Sequence, residues 1–230
     1  MKVGIVGGIG PESTIDYYRS IISAYGERRG GGRQPSILIN SIDLNTVVDL
    51  VTAGDMEGLA DFLAGEIRVL AAAGADFAVL AANTPHVAFD AISGRSPIPL
   101  ISIVRATCDA AKARGFRRLG LIGTRFTMRG GFYQEVFEKE GMTVVVPQTD
   151  EQDFIHEKYM GELVKGVFLP ATRDELLASA GRFIDREGVQ GLILGGTELP
   201  LILRDPAIGG VPLLDTTRIH VDAIVARLLA

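Results

Sequence analysis

The sequence predicts an α/β fold of two pseudosymmetric domains, each a mostly parallel sheet flanked by helices, with an active cleft between them. Two observations carry this reading. Apolar, β-branched runs end in Gly, Asn, Thr or Pro and are followed by helical patterns, the signature of βα units on a parallel sheet. The chain also echoes itself. Val3-Gly4-Ile5-Val6-Gly7-Gly8 returns as Leu119-Gly120-Leu121-Ile122-Gly123-Thr124, and the run from Phe77 to His86 returns as Gly191 to Pro200. The first domain is expected over residues 1–98 plus 214–230, the second over 99–213.

Taken in order, the candidate strands are Lys2–Val6, Ser36–Ser41, Phe77–Ala81, Leu100–Ile101, Arg118–Ile122, Thr143–Val146, Gly191–Leu194 and Leu213–Leu214. They are short, apolar and bounded by turn residues, as strands buried on both faces should be. Between them the helical periodicity predicts helices over Pro11–Ala24, Met56–Ala73, Ile103–Arg114, Gly131–Lys139, Gln152–Lys165, Thr172–Arg186 and Arg218–Leu228. Gly30-Gly31-Gly32, between Arg28 and Arg33, reads as a mobile surface loop.

Composition narrows the function. At 230 residues, with 47% hydrophobic and 22% charged residues, the chain can bury a real core. Its net charge is -5 and its Lys and Arg are scattered, which argues against nucleic acid or an anionic membrane and favours a small-molecule ligand. The longest apolar runs are strand-sized, far short of a membrane span. Met1-Lys2-Val3-Gly4 leads straight into a strand without the pattern of a signal peptide, so a cytoplasmic location is expected. One cysteine, Cys108, excludes an internal disulfide, and three scattered histidines give no metal-ligand spacing. No metal is expected.

Ligands of parallel sheets bind outside the carboxyl ends of the strands, which makes the loops there the candidates for a site. The first, Gly7-Gly8-Ile9-Gly10-Pro11-Glu12-Ser13-Thr14, opens a helix; its glycines allow close backbone approach and its amides attract anions. A tight turn without a ligand fits the same letters. Asp43 stands near the place of a dinucleotide-binding acid, but the Gly-x-Gly-x-x-Gly order is absent. Asn83-Thr84-Pro85-His86 offers three hydrogen-bonding side chains, or else simple helix caps. Thr197-Glu198-Leu199-Pro200 holds the second half's one acidic residue directly after a buried strand; Glu198 reads as a base raised by burial or as a helix N-terminal carboxylate. Asp215-Thr216-Thr217 with His220 is a good capping pattern. Lys165, before Gly166, either meets a substrate carboxylate or complements a helix end. Cys108 reads as a small structural residue within a helix.

Taken together and in this order, the Gly7 to Thr14, Asn83 to His86, Gly196 to Pro200 and Asp215 to Thr217 motifs resemble the aspartate/glutamate racemase family along essentially the whole chain. The resemblance implies no cofactor, a cleft for an acidic amino acid and commonly a homodimer. In that family two cysteines on opposite faces remove and return the α-proton, as inversion requires. The family cysteines precede Asn83 and Thr197; here those positions are Ala82 and Gly196, which carry no thiol. Three readings follow: a racemase-like enzyme using Thr84, His86, Thr197 or Glu198 instead; a lyase or decarboxylase needing one acid/base group; or a small-carboxylate-binding protein. Expected binding residues are Gly8, Gly10, Ser13, Thr14, Asn83, Thr84, Thr124, Thr197 and Glu198, with Lys165 for a distal carboxylate.

Overall fold

A computed structural model describes all residues from Met1 to Ala230. Along the chain run β1 (Lys2–Gly7), α1 (Pro11–Arg29), β2 (Ser36–Ser41), α2 (Leu44–Ala53), α3 (Met56–Ala72), β3 (Phe77–Leu80), α4 (Phe89–Arg95) and α5 (Ile103–Ala113). These are followed by β4 (Arg118–Gly123), α6 (Arg125–Arg129), α7 (Phe132–Glu138), β5 (Thr143–Val145), α8 (Thr149–Gly161) and α9 (Pro170–Glu187). The last elements are β6 (Gly191–Gly195), α10 (Leu199–Ile202), β7 (Ala207–Ile208), β8 (Val211–Asp215) and α11 (Thr216–Leu229). Short 3-10 turns lie at Thr84–Ala88 and Leu163–Lys165.

The chain divides into two compact units, Met1–Ala106 with Thr217–Ala230, and Thr107–Thr216. Residues 99–106, placed by the sequence reading with the second domain, group with the first.

The first unit holds a three-stranded parallel sheet in the order β2-β1-β3. β3 is buried at every position and the inward side chains of β1 are fully covered, hence the unbroken apolar letters of both. One side of the sheet packs Val6, Leu80 and Ala78 with Leu59, Leu63 and Ile67 of α3. The other packs Val3, Ile5 and Val79 with Tyr17 and Ile21 of α1 and Val221, Ile224 and Val225 of α11.

The second unit holds a five-stranded sheet in the order β5-β4-β6-β8-β7, parallel except for β7. Here β4 lies between β5 and β6 as β1 lies between β2 and β3, which is the structural counterpart of the sequence echo. Ile122, Leu192 and Leu194 pack with Ile155 and Tyr159 of α8 and with Leu176, Ala180 and Phe183 of α9.

The fold class is as the sequence predicts, and the differences have local causes. Leu100–Ile101 is no strand: Leu100 makes a single parallel bridge to Ala78, between Pro99 and a chain segment that turns into α5. α2 went unpredicted because its residues, rich in Val and Thr, read poorly as helix; it is started by Asp43, whose carboxylate accepts from the Asn45 amide at 2.9 Å. Asp43 is therefore a helix cap. The expected helix Gln152–Lys165 breaks after Gly161 into α8 and a 3-10 turn that ends on Gly166 at φ 73°. α4, α6, α10 and β7 are too short to leave a periodic signal.

Candidate active site

In the first unit the β1–α1 turn folds back on its own backbone. The Gly7 carbonyl accepts from the Ile42 amide at 2.9 Å, and Gly8 takes φ 83°, where a β-carbon would lie 2.1 Å from the Ile42 carbonyl oxygen. Only glycine fits there. The Thr14 hydroxyl accepts from the Gly8 amide at 2.8 Å and donates to the Gly10 carbonyl at 3.4 Å, so this side chain braces the loop. Gly10 is at φ 95°, directly before Pro11 opens α1, and Ser13 is fully buried in the first turn.

The loop after β3 begins with Ala81, Ala82 and Asn83, all buried. Asn83 precedes the 3-10 turn without capping it through its side chain, which removes the capping explanation for that residue. Thr84 is half-buried. His86 is buried, with its ring stacked on Phe89 at 4.9 Å. Its Nδ1 donates to the Ala82 carbonyl at 3.1 Å and its Nε2 accepts from the Ile103 amide at 3.3 Å. Burial, reinforced by His220, draws its pKa down to about 3. Both ring nitrogens are thus committed to backbone, and His86 is corrected from a stand-in base to a neutral structural brace.

His220 has the same duty. Nδ1 accepts from the Tyr17 hydroxyl at 2.8 Å, and Nε2 donates to the Ile101 carbonyl at 3.0 Å. Burial takes its pKa down to about 4. The two histidines together pin the segment between Ile101 and Ile103. Close by in sequence, the buried Thr217 hydroxyl makes no hydrogen bond within the protein.

In the second unit Thr124 ends the β4 turn as the cap of α6, its hydroxyl accepting from the Thr127 amide at 3.2 Å. Glycines bring the strand ends close: a β-carbon at Gly123 would sit 2.5 Å from the Gly195 carbonyl oxygen. After β6, Gly196, Thr197 and Glu198 are buried, with Glu198 only 1% exposed. Glu198 stands at the start of α10 yet does not cap it. Its Oε2 instead accepts from the Thr197 hydroxyl at 3.1 Å and from the hydroxyl of Tyr159.

Tyr159 is the residue that sequence reasoning missed. α8 starts with a capping box between Gln148 and Glu151 and buries Gln152, Ile155 and Tyr159 on one face. The spacing was a legible signal of burial, but not of what the ring would meet. A β-carbon on Gly196 would lie 2.4 Å from Tyr159 Cε2 and 2.8 Å from its Cζ and Oη. The phenol is 4% exposed, and burial followed by the charge of Glu198 pushes its pKa well above the usual tyrosine value, so it stays protonated. Lys165 is exposed at the end of its 3-10 turn and has no part in this cluster. Cys108 is fully buried within α5, as expected of a structural residue.

Paired α/β units with glycine turns and small polar strand-end loops define a racemase-type fold. The model of the Asp/Glu/hydantoin racemase family matches residues 6–224, and the chain belongs to that family. It is 34% identical to a proposed Asp/Glu racemase from Yersinia pestis, with TM-score 0.88 and all of both chains covered. An aspartate racemase homologue from Pyrococcus horikoshii OT3 is 31% identical at TM-score 0.84, covering 100% of this chain and 99% of that one. The broad specificity amino-acid racemase RacX of Bacillus subtilis is 26% identical over 62% of this chain and 63% of its own length. The matches span 46% to 67% of the length of the curated relatives. No helix is long and apolar enough to cross a membrane.

Proposed function

We propose that the protein acts on an acidic amino acid, aspartate or glutamate, taking a proton from the α-carbon and returning one without a cofactor. The observation that carries this reading is Glu198: a carboxylate buried at the end of a parallel strand, turned to two hydroxyls and not used as a helix cap. A base in that setting is shielded from water and held in a fixed direction. Membership in a racemase family supports the same chemistry. In this reading Thr197, whose hydroxyl donates to Glu198, helps hold the substrate in the second unit.

The test follows the α-proton of L- and D-aspartate and L- and D-glutamate by NMR in deuterated water with the purified protein. Loss of the α-proton signal together with appearance of the opposite enantiomer is expected. Absence of exchange in all four amino acids would overturn the reading.

A further inference from the structure

We propose that Tyr159, held against Glu198, is the proton-transfer group of the second unit, its ring edge and phenol oxygen lying beside the place where a side chain at position 196 would begin. This rests on the racemase-like reading above and assigns the atoms that carry it out. Three observations converge on the pair. The ring fills the space beside Gly196, so that even a β-carbon there would sit 2.4 Å from Cε2 and 2.8 Å from Oη. Position 196 is also where the family resemblance puts a cysteine; the thiol is missing and a different acidic O–H stands in its place. The phenol donates to Glu198 Oε2, which Thr197 also holds at 3.1 Å, and the Glu198 amide in turn points to the phenol oxygen at 3.4 Å.

The chemistry is a relay. Burial and the neighbouring carboxylate keep the phenol protonated, which makes the phenol the conduit and the carboxylate to which it donates, that of Glu198, the base. As the substrate Cα–H bond breaks, its proton forms a new O–H bond on Tyr159 Oη. The proton already on Oη passes to Glu198 Oε2. The electron pair of the C–H bond moves into the substrate carboxylate, giving an enediolate, and the charge that began on Glu198 ends on the substrate. Reversal returns a proton to the same carbon. No oxidant, metal or cofactor takes part in this exchange of protons.

The experiment compares the unmodified protein with Tyr159→Phe and Glu198→Gln, both nearly isosteric, by α-deuterium incorporation into aspartate and glutamate, with thermal unfolding as a check of folding. The expected result is a loss of about 10²- to 10⁴-fold in kcat for each variant, the usual contribution of a general acid/base group, with KM unchanged, as for a group that acts only in the transition state. If one variant fails to fold, the other decides. Exchange at near-normal rate in Tyr159→Phe would overturn the relay while leaving the proposed reaction intact. Retained exchange in Glu198→Gln alone would overturn Glu198 as its base. No exchange by the unmodified protein would overturn the reaction itself and the relay with it.

Discussion

The ring of Tyr159 lies against the α-carbon of Gly196, with no room for a β-carbon between them: one built there falls 2.4 Å from Cε2. Any side chain at 196 must displace the phenol or strain the loop. Gly196→Cys, which restores a thiol at this position, is therefore expected to destabilise the protein by about 1–3 kcal/mol, the range for overpacking a dense core. Tyr159→Ala removes the obstacle but leaves a cavity. The double variant is expected to be more stable than the sum of the two single changes by about 1 kcal/mol or more, since residues in contact couple. Urea unfolding of all four proteins measures this; strict additivity would show that the ring yields freely.

Stability should fall on mild acidification. His86 and His220 are held neutral, with pKa values near 3 and 4 in the folded protein against an ordinary value of 6.5. The unfolded chain then binds more protons than the folded one between those limits, so stability is lost as pH drops below 6.5. From pH 7 to pH 5 each histidine is expected to remove about 2 kcal/mol. Glu151, lowered chiefly by its hydrogen bond from Arg186, adds its own loss only below its usual value of 4.5, so the two effects separate. Urea titrations at pH 7, 6 and 5 give the slope. A flat profile across this range would contradict the bonding described for the two rings.

Catalysis should survive alkylation. Cys108 is the single cysteine and is fully buried in α5, away from the Thr197, Glu198 and Tyr159 cluster in sequence. Treating the native protein with iodoacetamide is expected to leave α-proton exchange unchanged, and Cys108→Ala should exchange at the same rate. Strong inactivation by iodoacetamide would mean that a thiol takes part after all.

The candidate site was legible in the sequence only in part. Glu198 was open in the sequence between a base raised by burial and a helix N-terminal carboxylate, and the structure buries it without a capping role. His86 and Thr14 looked equally suited to a ligand, yet their polar atoms meet backbone groups of Ala82 and Ile103 and of Gly8 and Gly10. Side-chain letters report which hydrogen bonds a residue is able to make, and the partner that takes them depends on where the backbone passes.

Fold class, the order of β1, β3, β4 and β6 along the chain and the glycine turn that follows β1 were determined by local pattern alone. Burial on a strand or helix repeats with a fixed period, and a turn at positive φ demands glycine, so both leave a mark in neighbouring letters. The meeting of Tyr159 with Gly196 and Glu198 was decided by tertiary structure. These residues lie on α8 and after β6, almost forty positions apart, and what brings them together is the packing of one helix face against one strand end. A missing β-carbon at 196 becomes informative only when the neighbour that fills its space is known, because close packing joins residues by shape and not by their distance along the chain.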